Sequence, residues 1–113
     1  MTERKVTITH EQIADYAEAS GDHNPIHLDD GFARSVGLPG VIAHGMLLMG
    51  LMAATVPEPG KLRQVAVRFG GIVVPGDTVT FRSEPAGEGR LVLSAVNQKG
   101  EAVLTRGSAA MEL

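Results

Sequence analysis

The chain contains no cysteine. That excludes a disulfide framework, a thiolate metal site and a cysteine nucleophile, and it fits a reducing compartment. Clustered basic charge is also missing: the net charge is -3, the isoelectric point is near 5.7, and no run of Lys and Arg could track a phosphate backbone. Nucleic acid is therefore not an expected partner. The longest apolar stretch, Val41 to Val56, is interrupted by His44 and is shorter than the roughly 20 residues that span a bilayer. It reads as a buried helix, and no membrane partner is expected. The opening residues Met1-Thr2-Glu3-Arg4-Lys5 lack the apolar run of a secretory signal, so the expected location is cytoplasmic.

What is present suits one folded unit. Apolar residues make up 43% of the 113 and charged residues 20%, an ordinary globular balance. The length fits one core, so residues 1–113 are expected to form a single domain. Lys5 to Ile8 alternates like a short strand. Thr9 to Gln12 then spells a capping box, with Ile8 and Ile13 as its hydrophobic staple, and predicts a helix from about His10 to Ser20 ended by Gly21. Asn-Pro, Asp-Asp-Gly and Leu-Pro-Gly punctuate residues 22–40, an ordered loop with one short helical turn near Gly31 to Val36.

A helix of about Ala43 to Thr55 follows, apolar nearly all round and so expected to be buried on most sides. Gly45 and Gly50 within it suggest close backbone approach at both points. From Lys61 the period changes to that of strands, with Val65, Val67 and Phe69 on one face. Further runs follow at Thr78 to Ser83, Arg90 to Val96 and Ala102 to Met111. Pro75-Gly76-Asp77, Ala86-Gly87-Glu88-Gly89 and Gln98-Lys99-Gly100 separate them at hairpin-like spacing. The expected fold is α+β, with one antiparallel sheet of about five strands wrapped around the apolar helix.

The densest polar cluster is Ser20-Gly21-Asp22-His23-Asn24-Pro25-Ile26-His27. A carboxylate can take a proton from water, and an imidazole can orient or relay protons near neutral pH; together they suit addition of water to an enoyl thioester. Such a reaction also places charge on the thioester oxygen, which N–H groups at a helix start would stabilise, and Ala43-His44-Gly45-Met46 stands at one. Other readings stay open. Asp22 can be a turn residue. Asp22, His23 and His27 can suggest a metal site, although Asn24-Pro25 breaks the helix that would align them. His44 reads as a hydrogen-bonded residue near a helix start rather than a reacting group. Met46, Met49 and Met52 read as core, or as the border of an acyl chain.

The segment Tyr16-Ala17-Glu18-Ala19-Ser20-Gly21-Asp22-His23-Asn24-Pro25-Ile26-His27 resembles the hydratase-2 signature of the MaoC-like, (R)-specific enoyl-CoA hydratases. Ala43-His44-Gly45-Met46-Leu47, Val67-Arg68-Phe69 and Pro75-Gly76-Asp77 follow in that family's order, so the resemblance extends over nearly the whole chain. Within the family it is especially similar to the short acyl-carrier-protein dehydratase subunits of actinobacterial fatty-acid elongation. The resemblance implies a hot-dog fold, usually dimeric, acting on acyl-CoA or acyl-carrier-protein thioesters without metal or other cofactor. It implies that Asp22 and His27 hold the catalytic water and that the Gly45 N–H forms the oxyanion hole. Asn24 would shape the loop, and Asn24, His44, Met46 and Met49 make up the substrate-side set. Some bacterial members carry a Ser on the central helix that supports the Asp; Ala53 stands there. The alternatives are a thioesterase on the same fold and a partner-dependent subunit of a heterodimeric dehydratase.

Overall fold

A computed structural model of the protein describes residues 1–113. β1 (Thr2–Thr7) leads into α1 (His10–Ser20), whose start is held from both sides: the Gln12 N–H donates to Thr9 Oγ1 at 3.1 Å, and the Thr9 N–H donates to Gln12 Oε1 at 2.9 Å. Ile8 and Ile13, on either side of this cap, are both buried. Gly21 ends α1 at φ 78°, a left-handed conformation that glycine adopts without a steric penalty, and its N–H returns to the Ala17 carbonyl.

A single 3-10 turn (Pro25–His27) and α2 (Asp30–Ser35) fill the loop, and α3 (Gly45–Thr55) follows. α3 begins two residues later than the hydrophobic pattern suggests, because the Ala43 N–H donates to the Val73 carbonyl at 2.8 Å and His44 takes the cap position in extended conformation. A second 3-10 turn (Pro59–Lys61) precedes β2 (Leu62–Phe69), β3 (Thr78–Pro85), β4 (Arg90–Val96) and β5 (Ala102–Met111). No helix is long and apolar enough to cross a membrane.

The five strands form one antiparallel sheet in the order β1-β3-β4-β5-β2, and the fold is the hot dog. β3, β4 and β5 are joined by hairpins as expected, but β2 and β3 are not neighbours. Residues 70–77 are too long a connection for a tight hairpin. They carry the chain from the β2 side of the sheet, where the Gly70 N–H still meets the Val103 carbonyl of β5, to the β1 end, where the Gly76 N–H meets the Ile8 carbonyl. Val73, midway along, is fully buried.

The sheet bends around the helix at a bulge in β5. Arg106 takes φ 49°, and both flanking ladders shift register there, at Ala66/Arg68 on β2 and Leu93/Ala95 on β4. On the concave side Leu48 and Met52 pack with Phe81, Val79, Leu93 and Leu104.

The structure corrects the expected burial of α3. Leu48, Met52 and Thr55 face the sheet and are buried, whereas Met46, Gly50 and Ala54 on the other side are exposed. One curved sheet covers one side of one helix, so apolar composition all round does not bring burial all round. The two glycines also separate. A Cβ on Gly45 would stand 3.1 Å from the Phe69 ring, whereas nothing lies within 4 Å of one on Gly50.

Candidate active site

The turn after α1 is built from short side chains that each accept from the backbone N–H two residues ahead. Ser20 Oγ accepts from the Asp22 N–H (3.1 Å), Asp22 Oδ1 from the Asn24 N–H (3.2 Å), and Asn24 Oδ1 from the Ile26 N–H (3.1 Å). Pro25 then presets the first position of the 3-10 turn. Asn24 thus accepts the N–H that starts the 3-10 turn and fixes the path of the loop there. Ala53 offers no hydroxyl to Asp22; Ser20 and Asn24 hold the residue within its own turn.

This turn delivers His27 to the segment before α3. The His27 Nδ1–H donates to the Ile42 carbonyl at 2.7 Å, and the Ile42 N–H donates back to the Ile26 carbonyl at 3.0 Å. A carbonyl can only accept, so the bond assigns the proton of a neutral His27 ring to Nδ1 and leaves a lone pair on Nε2. That Nε2 stands 4.0 Å from Asp22 Oδ2, beyond direct hydrogen bonding. The His27 side chain is 9% exposed and that of Asp22 53%.

His44 lies behind this pair. Its ring is buried and stacks on His27 with centroids 3.8 Å apart, and Tyr16 meets it edge-on at 4.8 Å. Its Nε2–H donates to the backbone carbonyl of Asp22 at 3.1 Å. Buried in this way, His44 faces the Asp22–His27 pair rather than a substrate. Gly45 and Met46 open α3, and no side chain caps their N–H groups. Met46 is exposed and Met49 half-buried beside that helix start, while Met52 belongs to the core.

His23 turns away. Its Nε2 pairs with Glu18 Oε1 at 3.1 Å on the surface, and that hydrogen bond foremost raises its pKa above the ordinary 6.5. Asp22, His27 and His44 do bring donor atoms within 4.8 Å of one another. The two stacked rings, however, lie in planes only 21° apart. Planes so nearly parallel meet far beyond the about 2.0–2.1 Å of an imidazole–metal bond, so their lone pairs do not converge on one ion.

Three contacts have no signature in the sequence reading: the Ile42 carbonyl, the edge of Tyr16, and the Phe69 ring over Gly45. Tyr16 falls inside the motif but without an assigned role. The Ile42 contact is made by a backbone atom, which no residue type announces. The two clefts of the chain, about 540 and 240 Å³, are lined by other residues, among them Gly70, Ile72 and Lys99 in the larger and His10 and Asp30 in the smaller. Neither Asp22 nor His27 lines either cleft.

The MaoC-like domain family matches residues 1–105, and the chain belongs to that family. Among curated relatives, it is 38% identical over 110 residues to a peroxisomal hydratase-dehydrogenase-epimerase of Neurospora crassa, covering 96% of the chain and 12% of the relative. It is 42% identical over 87 residues to a fatty acid synthase subunit beta of Aspergillus oryzae, covering 70% of the chain and 4% of the relative. The chain thus spans a small part of these much longer proteins. Among solved structures, the R-hydratase PhaJ1 from Pseudomonas aeruginosa superposes with a TM-score of 0.83 at 31% identity, covering 98% of the chain and 79% of the other. An (R)-hydratase from A. caviae superposes with a TM-score of 0.85 at 26% identity, covering 98% and 92%.

Proposed function

We propose that residues 1–113 act as a single hot-dog domain that reversibly hydrates trans-2-enoyl thioesters of CoA or acyl carrier protein to the (R)-3-hydroxyacyl thioesters. The observation that carries this reading is the 4.0 Å gap between Asp22 Oδ2 and His27 Nε2, both acceptors when the carboxylate is ionised and the ring neutral. A water about 2.8 Å from each atom would subtend about 90° between them, close to the angle between its own two O–H bonds. Donating one hydrogen to each group, it would turn a lone pair outward.

The reaction follows from that placement. The water oxygen bonds to C3 of the enoyl group, and the Asp22 carboxylate takes one of its protons while His27 Nε2 orients it. The electron pair of the C2–C3 double bond moves toward the thioester oxygen, where the Gly45 N–H and the α3 dipole stabilise it. It then returns to C2 as the proton held by Asp22 is delivered there, which restores the carboxylate and leaves the water's second proton on the new C3 hydroxyl. Met46 and Met49 border the acyl chain, and the loop shaped by Asn24 keeps the pair in register. The relatives called R-hydratases support the (R) assignment.

The uncovered apolar side of α3 and the free edge of β2 support a homodimer, because a single copy leaves both in water. The same observation favours a second reading, a heterodimer in which this chain supplies the Asp/His pair. A cytoplasmic location is part of the proposal; three of the curated relatives are named as peroxisomal.

Purified protein mixed with crotonyl-CoA tests the reading. Loss of the conjugated enoyl absorbance, an (R)-3-hydroxy product and no reaction by Asp22→Asn are expected. Release of free CoA would indicate a thioesterase instead, and inertness toward crotonyl-CoA, longer enoyl-CoAs and enoyl carrier protein a partner-dependent subunit. Light scattering on the pure active chain decides between self-association and an obligatory partner.

A further inference from the structure

We infer that His44 is a positioning residue, whose Nε2–H bond to the Asp22 carbonyl ties the motif loop to the start of α3 and sets Asp22, His27 and Gly45 in one frame. This inference rests on the hydratase reading above. Three observations combine. The ring is 2% exposed, so it reaches no substrate. It spans the site, since its one hydrogen bond is to Asp22, its face covers His27, and its own backbone precedes Gly45.

The third observation concerns its other nitrogen. Nδ1 is buried with no partner. A buried polar atom without a partner is costly, and a ring needed only to fill space beside Tyr16 and His27 would be better made of carbon. The imidazole is therefore retained for the donor at Nε2. The two stacked rings consequently carry opposite tautomers in their neutral forms: Nδ1–H in His27, bonded to the Ile42 carbonyl, and Nε2–H in His44, bonded to the Asp22 carbonyl. One short segment, residues 42–45, thus holds the imidazole, the carboxylate's loop and the N–H donor.

Two variants separate the hydrogen bond from the packing. His44→Phe keeps a stacking ring without a donor, whereas His44→Gln places an amide N–H near the position of Nε2. With crotonyl-CoA, His44→Phe should lower kcat about tenfold to a hundredfold, the scale of a misplaced catalytic group, and leave KM within about threefold. His44→Gln should recover most of the lost kcat. Wild-type kcat in His44→Phe, or a Gln variant no better than Phe, overturns the inference.

Nitrogen-15 NMR of the wild-type protein, at a pH above the imidazole range, needs no variant. It should show His44 protonated at Nε2 and bare at Nδ1, with His27 the reverse. An active wild type with the other His44 tautomer sinks this inference alone. A wild type that turns over no enoyl thioester sinks the hydratase reading, and the positioning role with it.

Discussion

The ring of Phe69, at the end of β2, lies directly over the Cα of Gly45, the first residue of α3; a Cβ at position 45 would come 3.1 Å from its Cε1 and Cζ. No side chain at position 45 therefore stands over the helix's first N–H. The Phe69 ring is half-exposed and can yield by a few tenths of an ångström, so Gly45→Ala should fold with little loss of thermal stability. Alanine keeps the backbone N–H but sets a methyl group beside it, so kcat/KM should still fall by about tenfold to a thousandfold, the upper end being the cost of an oxyanion donor blocked outright. Steady-state kinetics beside a thermal melt checks this, and unchanged kcat/KM would mean that a methyl group at position 45 does not stand between this N–H and the thioester oxygen.

Asp22→Asn and His27→Ala should each lower turnover by at least about 10², the scale of a lost acid–base group. Their stabilities should differ. Asparagine keeps an Oδ1 for the Asn24 N–H and occupies a half-exposed site, so the fold should be unmoved. Removing the His27 ring uncovers His44 and deletes the bond to Ile42, so the melting temperature should fall. Near-normal turnover in either folded variant would refute the assignment of the pair.

Local chemistry was legible in the sequence, and long-range pairing was not. The Thr9/Gln12 cap, the Gly21 stop and the Asp22-to-Pro25 turn depend on neighbours within a few residues, so residue types suffice to read them. Strand runs were equally visible by their period, but period marks a strand without naming its partner. β2 accordingly looked like the neighbour of β3 although it pairs with β5. α3 was ambiguous for a related reason: with apolar residues on every side, nothing in the pattern marks Leu48 and Met52 as inward and Met46 as outward. At the site, residue identities were visible, whereas the His27–Ile42 bond and the His44 stack join positions 15 and 17 residues apart through a backbone atom and a ring face.

Two substitutions on α3 should move stability in opposite directions. Met52 is fully buried, and Met52→Ala should cost about 2–5 kcal/mol by leaving a cavity beneath the sheet. Gly50, only two residues away, sits in a helix interior with nothing within 4 Å of a new Cβ. There alanine's smaller loss of backbone freedom should gain up to about 1 kcal/mol. Chemical denaturation of both variants measures the contrast. A destabilised Gly50→Ala would locate a second copy packed closely against that face.

The His23–Glu18 pair gives a pH dependence whose sign can be worked out. The hydrogen bond to Glu18 is the largest cause of the raised His23 pKa; desolvation opposes it, and the Gly21 carbonyl and the charges of Glu18 and Asp22 add to it. A raised folded value means that the folded state holds the proton more tightly than the unfolded chain. The contribution to stability is thus fully present below the unfolded pKa of about 6.5 and lost as pH rises through the folded value. Solvent exposure keeps it small, so the sensitive observable is the residue's own titration. An NMR titration of His23 should give a midpoint above 6.5, and Glu18→Gln should bring it back toward that value. In denaturation experiments the same variant should lose a little stability in mild acid and none in alkali. A midpoint unmoved by Glu18→Gln would mean that the Asp22 charge or the Gly21 carbonyl, rather than Glu18, holds the proton beside the site.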